Sequence, residues 1–443
     1  MRLGGAVDLR TTVGSVELPN PVLTASGTAG HGAELAGYLD LARLGAIVVK
    51  SLAAEPWPGN PPPRVHQTPA GMLNSVGLQG TGVAAWLVDE LPRLEERGAR
   101  VVASIWGRRV EDYERAARLL RGAPGVVAVE VNVSCPNLED RSRMFAHSAS
   151  ATSDAVAAAA AADLPRWVKL SPNTPDLVEI AGAALEAGAE ALVLVNTVLG
   201  LAVDIRHRTY RLGSGPRGGG LSGPAIRPVA VRAVHDCRAA FPEAGIVGVG
   251  GVARGVDAVE LLMAGADAVE VGTATFLNPR APAKVLAELT AWCRRNRVGD
   301  VRSIVGVVHG PAYPAPDDTL AGTEGYEGGE RRGRERRQGD RRRSVPRGAI
   351  HNVPPGGETR DAEDHADGAS LLGVLAGGAE EPEARDLAQA MLAVIERRAD
   401  QQAEQVAKLV EVATLVGQSV PPRVGEESGG DRVETEEDND DND

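Results

Sequence analysis

At 443 residues the chain has room for two or three average domains, or for one α/β barrel of about 250 residues with a long appendage. A formal charge of −13 argues against nucleic acid as the main partner, and three cysteines (Cys135, Cys237, Cys293) are too few for a disulfide framework or a four-thiolate cluster within this chain. Hydrophobic residues reach 43% while aromatics are only 3%, so a substantial core is available and rests on Ala, Val and Leu.

The opening segment, MRLGGAVDLRTTVG, lacks a long apolar core behind a basic start, and no stretch reaches the ~18 apolar residues of a membrane span. A cytoplasmic protein without membrane contact is expected. Up to about Gly306, short β-branched runs alternate with Ala/Leu/Glu/Arg stretches of helical character, the pattern of repeated βα units. Eight runs are expected as strands: Val22–Thr24, Ala46–Val49, Val101–Ile105, Val127–Val131, Trp167–Leu170, Ala191–Val195, Ile246–Val249 and Ala268–Val271. Helices are expected over Glu111–Leu120, Leu177–Ala187 and Val256–Ala264. Eight strands suggest closure into a TIM (β/α)8 barrel. An open doubly wound sheet would carry its glycine-rich turn after the first strand, whereas here such turns cluster after the last two.

After residue 310 the composition shifts to Pro, Gly, Glu and Arg, which cannot bury enough surface to offset ordering entropy. The expected organisation is a barrel over 1–310, a disordered linker over 311–385 with an Arg-rich run at Glu330–Arg343, an amphipathic helix over 386–417 and an acidic disordered tail over 418–443. The helix reading rests on an apolar stripe through Leu387, Met391, Ile395, Val406, Leu409, Ala413 and Val416.

Several segments carry chemistry. Val-Val-Lys50-Ser51 ends the second strand with an ammonium, costly there unless an anion pairs with it. Met72-Leu-Asn-Ser-Val-Gly-Leu-Gln79 reads by itself as an ordinary loop with a turn. Asn132-Val-Ser-Cys-Pro-Asn137 follows the fourth strand, at the face where barrel enzymes place their active sites. A cysteine there can act as a base, since its thiol titrates near 8.5 unless perturbed, and the flanking amides can hydrogen-bond a planar polar ligand. Cys237 and Cys293 read instead as buried, inert thiols. Lys169 closes the fifth strand and Asn196-Thr197 the sixth. Gly223, Gly250-Gly251 and Gly272-Thr273 form a late cluster, and the loops after strands seven and eight of a barrel often bind phosphate through backbone N–H groups.

In this order the motifs resemble the class 1 dihydroorotate dehydrogenases over roughly residues 7 to 308. The resemblance implies that Cys135 takes a proton from C5 of dihydroorotate while a hydride leaves C6 for N5 of FMN, in UMP biosynthesis. Class 2 members use serine as base. It implies FMN contacts at Ser26, Gly27, Lys50, Ser51, Asn132, Lys169, Val195, Gly223, Gly250, Gly251, Gly272 and Thr273, and no metal site. Substrate contacts are implied at Lys50, Asn74, Ser75, Val76, Gly77, Leu78, Asn132, Asn196 and Thr197. Where the family usually ends its third strand with asparagine, this chain has Ser104, which leaves flavin contact there open.

The Met72–Gln79 loop resembles the NAD-linked subclass, although Gln79-Gly80 departs from its usual Gln-Asn. That subclass works with a second subunit carrying FAD and a 2Fe–2S cluster, so such a partner is implied, around a homodimer core or in a heterotetramer. The alternatives are the fumarate-linked homodimeric type, or an FMN barrel reducing pyrimidine bases or tRNA uridine. Asn132 and Asn137 favour dihydroorotate over these bases. The one basic block is short, broken by acids and free of aromatics for stacking, and no nucleic-acid partner is expected. The extension after residue 310 could also be a separate protein-interaction module.

Overall fold

The computed structural model describes residues 6–134 and 144–310. Cys135, Asn137 and the expected linker, helix and tail lie outside the described residues. The chain enters through an antiparallel hairpin, β1 (Thr11–Val13) with β2 (Val16–Leu18), ahead of β3 (Val22–Thr24) and β4 (Ile47–Val48). A second hairpin, β5 (Val65–Thr68) and β6 (Gly71–Asn74), precedes α1 (Val83–Asp89), α2 (Leu91–Glu95) and β7 (Val101–Ile105). Regular βα units follow in α3 (Val110–Leu120), β8 (Val126–Asn132), α4 (Ala149–Ala158), β9 (Arg166–Lys169), α5 (Leu177–Glu186) and β10 (Ala191–Leu194). The next crossover holds β11 (Val198–Gly200), β12 (Val203–Asp204), β13 (Thr209–Tyr210) and β14 (Gly219–Ser222), then α6 (Arg227–Ala240). The circuit ends with β15 (Gly245–Val249), α7 (Gly255–Ala264), β16 (Ala268–Val271), α8 (Ala274–Leu277) and α9 (Ala281–Arg295).

Eight strands make one parallel sheet in the order β3-β16-β15-β10-β9-β8-β7-β4. Its two ends meet: Gly45 N–H donates to Val22 C=O at 2.8 Å and Thr24 N–H to Ala46 C=O at 3.3 Å. The sheet is therefore a barrel, and its strands are the eight runs read from the sequence, with boundaries moved by a residue or two.

Strand alternation sends side chains to two separate cores. Outward residues such as Val22, Ile47, Val129, Val168, Leu192 and Val269 pack against the helices. Inward residues, among them Leu23, Val48, Val102, Trp167, Val193 and Val247, fill the barrel with small and branched side chains. Val13, Val16 and Leu18 of the entry hairpin join this inner cluster, and Thr11 Oγ1 donates to Asp267 C=O, just before β16. The hairpin thus closes the N-terminal end of the barrel and leaves the C-terminal end as the open face.

The helices follow the same economy. On α3, Tyr113, Ala116, Ala117 and Leu120 are buried at helical spacing, and Asp112 accepts the N–H groups of Arg108 and Arg109 at 2.9 and 3.0 Å. Asp257 repeats that cap on α7, accepting from Ala253 and Arg254 at 3.0 and 2.8 Å. Among the described residues no helix is long and apolar enough to cross a membrane.

Candidate active site

One step beyond the apolar inner layer, alternation turns polar residues inward. Ser104 follows Val102, Glu130 follows Ala128, Lys169 follows Trp167 and Glu270 follows Ala268, each two residues on along its strand, and Lys50 stands two residues beyond Val48, just past the end of β4. Ser104, Glu130 and Glu270 are fully buried and Lys169 nearly so. Five strand ends thereby place a polar floor under the C-terminal mouth.

Hydrogen bonds tie that floor into one network. Ser51 Oγ lies 3.2 Å from Ser26 Oγ and 2.8 Å from Ser104 Oγ, and it accepts from Asn132 Nδ2 at 3.1 Å. Ser104 donates to Glu130 Oε1 at 2.8 Å, while Lys169 Nζ reaches Glu130 Oε2 at 3.3 Å and Glu270 Oε2 at 2.7 Å. Asn196 Nδ2 donates to Asn132 Oδ1 at 3.3 Å, and Tyr113 donates its hydroxyl to the Asn132 carbonyl at 2.9 Å. Ser26, Ser51, Asn132, Lys169 and Asn196, five residues singled out from the sequence, therefore belong to a single cluster. Ser104, whose place was open, is committed to Ser51 and Glu130.

Lys169 and Lys50 are opposites. Burial works to lower the Lys169 ammonium, but Glu130 and Glu270 outweigh it and the net displacement is upward. Lys50 has no carboxylate within ion-pair distance among the described residues. Desolvation first, and the Arg64 guanidinium second, push it down to about 8. The anion that the sequence demanded for Lys50 is not a side chain of the described fold.

The rim is more ordered than a loop. Met72–Asn74 had been expected within a loop, yet Gly71–Asn74 forms β6 in an antiparallel sheet of order β11-β14-β6-β5. Asn74 pairs with both Gly220 and Val65, and its Nδ2 donates to Gly220 C=O at 3.2 Å. β5 is the local hairpin partner, but β14 lies over a hundred residues away, and that pairing cannot be read from the motif alone. A Cβ at Gly220 would stand 2.0 Å from Thr197 Oγ1, so Thr197 lies directly against β14. Past β6, Ser75 N–H donates to Arg64 C=O at 2.7 Å, Asn60 N–H donates to Val76 C=O at 3.0 Å, and Gly77 and Leu78 turn the chain with positive φ. Among the described residues, the buried hydroxyls of Ser75 and Ser134 have no hydrogen-bond partner.

The late glycines converge. A Cβ at Gly251, where φ is +76°, would lie 2.6 Å from Arg227 Cβ and 3.1 Å from the Gly223 carbonyl, and one at Gly223 would lie 3.6 Å from Thr273 Cγ2. Thr273 Oγ1 donates to Ser222 Oγ at 2.7 Å. Gly250 and Gly272 sit beside them at the ends of β15 and β16. Among the described residues, the N–H groups of Gly251 and Thr273 meet no protein acceptor, which suits an anion. Across the mouth, a Cβ at Gly27 would meet open space, and buried Val195, joined to Leu194 by a cis peptide, donates its N–H to Val249 C=O at 2.8 Å.

Glu130 and Glu270 were missed in the sequence. Their signal was there: Ala-Val-Glu-Val occurs twice, at 128–131 and 268–271, placing an acid inside an otherwise apolar strand. Cys237 and Cys293 are free and buried, with burial pushing Cys237 up to about 12 and Cys293 upward as well. Both are buried, as read.

Fold and site define a parallel α/β barrel whose C-terminal mouth joins a lysine with no carboxylate partner among the described residues, a ring of serine and asparagine donors and a cluster of converging glycines. Residues 8–292 match the profile of the family described as dihydroorotate dehydrogenase, and the chain belongs to that family. It is 46% identical over 304 residues to "Dihydroorotate dehydrogenase B (NAD(+)), catalytic subunit" of Desulforudis audaxviator, covering 68% of this chain and 98% of that relative. The protein of the same name from Geotalea uraniireducens is 41% identical over 305 residues, 69% of this chain and 99% of its own length. A relative from Solibacter usitatus, named for the fumarate type A, is 46% identical over 301 residues, 68% of this chain and 98% of its own.

Proposed function

We propose that this chain oxidises (S)-dihydroorotate to orotate in pyrimidine biosynthesis, with FMN held over the barrel mouth. The observation that carries the reading is Lys50, a cation with no carboxylate within ion-pair distance among the described residues, near serine and asparagine donors suited to a planar polar ring. Lys50 balances the substrate carboxylate or charge on the cofactor ring. Asn74, Ser75, Asn132, Asn196 and Thr197 orient the substrate with amide and hydroxyl groups, with Val76, Gly77 and Leu78 over it. Cys135, three residues beyond Asn132, takes the proton from C5. Ser26, Gly27, Ser51, Lys169 and Val195 line the ring, and Gly223, Gly250, Gly251, Gly272 and Thr273 hold the phosphate. Bound FMN supplies the hydride acceptor for C6.

Turnover is assigned to residues 1–310, and 311–443 are given no part in it. We place the protein in the cytoplasm, with electrons passing to NAD+ through a partner subunit that holds FAD and a 2Fe–2S cluster, around a dimer of catalytic chains. The fumarate-linked type is the second reading, favoured by the equal 46% identity to the Desulforudis and Solibacter relatives.

Anaerobic mixing of the flavin-loaded protein with dihydroorotate should bleach the flavin. Recovery on adding fumarate alone points to the self-sufficient type, and recovery with neither fumarate nor NAD+ points to a missing partner. A loaded protein that stays yellow is no dihydroorotate dehydrogenase.

A further inference from the structure

The barrel floor holds two carboxylates and one ammonium. Glu130 and Glu270 approach Lys169 Nζ at 3.3 and 2.7 Å, and all three side chains are buried. The inward residues on the strands flanking β16 and β9 (Leu23, Val247, Val249, Ala191 and Val193) carry no charge, and Lys50, just past the end of β4, makes no contact with either acid. With all three groups ionised, the cluster leaves one negative charge uncompensated in an apolar interior, which is less favourable than taking up a proton.

Hydrogen bonding says where that proton sits. Glu130 uses both oxygens, accepting from Ser104 at 2.8 Å and from Lys169. Among the described residues Glu270 accepts only from Lys169, and its Oε1 is buried without a hydrogen-bond partner. The shorter lysine contact by itself favours charge on Glu270, but a carboxylate with one bare buried oxygen is the poorer anion of the two. Burial, reinforced by Glu130 and opposed by Lys169, moves the Glu270 carboxyl up to about 8.

We propose that Glu270 is protonated in the resting protein and is the proton-exchanging group of the barrel floor, setting through Lys169 the charge beneath a ring bound above it. Glu270 is thus a positioning residue. Below its titration the cluster is neutral, and above it one negative charge opposes electron uptake by the ring. The electrochemical consequence rests on the flavin reading; the protonation does not.

Infrared difference spectra of the full-length protein as purified, wild type against Glu270→Gln, test the protonation. A protonated-carboxyl C=O band at neutral pH should be present in wild type, fade as pH passes about 8 and be missing in the variant. Absence of that band in wild type at pH 7 would overturn the proposal. Glu130→Gln supplies a second test should Glu270→Gln not fold: one carboxylate then faces one ammonium, so Glu270 ionises and its band is lost at pH 7. Persistence of the band there would contradict the shared-ammonium argument. In the flavin-loaded protein the midpoint potential plotted against pH should bend near 8, and Glu270→Gln should remove the bend. An unchanged plot in the variant removes the charge-setting role. A band without any flavin uptake sinks the proposed function and leaves the protonation standing.

Discussion

At the scale of single residues, the proposed chemistry is divided between Cys135 and Lys50. Cys135→Ala removes the proposed base without touching the flavin's donors, so the protein should stay yellow while its reduction by dihydroorotate slows by at least ~100-fold, the usual scale for losing a general base. Stopped-flow reduction measures this directly, and unchanged rates would reject the assignment. Lys50 predicts a pH dependence. Its ammonium, held down to about 8, must be protonated to bind an anion, so orotate affinity should fall above that pH by roughly tenfold per pH unit until the bound form also titrates. Titrations across this range, with Lys50→Met as a flat control, check it.

At the scale of elements, short strands aim the site and the segments between them finish it. Gly251 sits at φ +76° with Arg227 and Gly223 pressed against its missing Cβ, so Gly251→Ala meets both strain and a clash, together about 1–3 kcal/mol. Its proposed place in the phosphate cradle gives a sharper expectation: the variant should release FMN during gel filtration where wild type retains it. Full flavin content in the variant would move the phosphate elsewhere. The rim sheet shows the limit of local reading, because β6 pairs on one side with its hairpin neighbour β5 and on the other with β14, over a hundred residues away.

For the whole molecule, two groups with displaced pKa values shape stability. Glu270 is raised from 4.5 to about 8, so the folded state holds a proton that the unfolded chain has lost, and its contribution declines as pH rises across that window. Lys50 is lowered from 10.5 to about 8, so the unfolded chain binds the extra proton above that pH and stability recovers until about pH 9, where the buried Cys237 thiol, raised from 9.0 to about 12, begins to act in the opposite sense. Thermal unfolding of the ligand-free protein should therefore dip near pH 8, and Glu270→Gln should erase the acid-side decline. A monotonic curve in wild type would count against both assignments. A chain ending at Gly310 should keep dihydroorotate turnover and the elution volume expected for its smaller mass at the same oligomer number. A large fall in activity or a changed oligomer would give residues 311–443 a part in function.

The sequence by itself determined the eight strands, the barrel they close and the motifs at their ends, because burial on both faces writes each strand as a short β-branched run that no distant contact needs to explain. It also marked Lys50 as a cation in need of an anion, since the cost of charge on an apolar strand is local. Only the tertiary structure decided which polar residues meet. Glu130 and Glu270 stand 140 positions apart and share Lys169 because alternation on β8, β9 and β16 turns all three inward at one level of a closed barrel. Ser104 likewise found its partners through the barrel's curvature, and Met72–Asn74, already one arm of a local hairpin, gained its second neighbour from distant β14. Hydrogen bonds and charge pairing act across space, so these links became legible only once the chain had closed on itself.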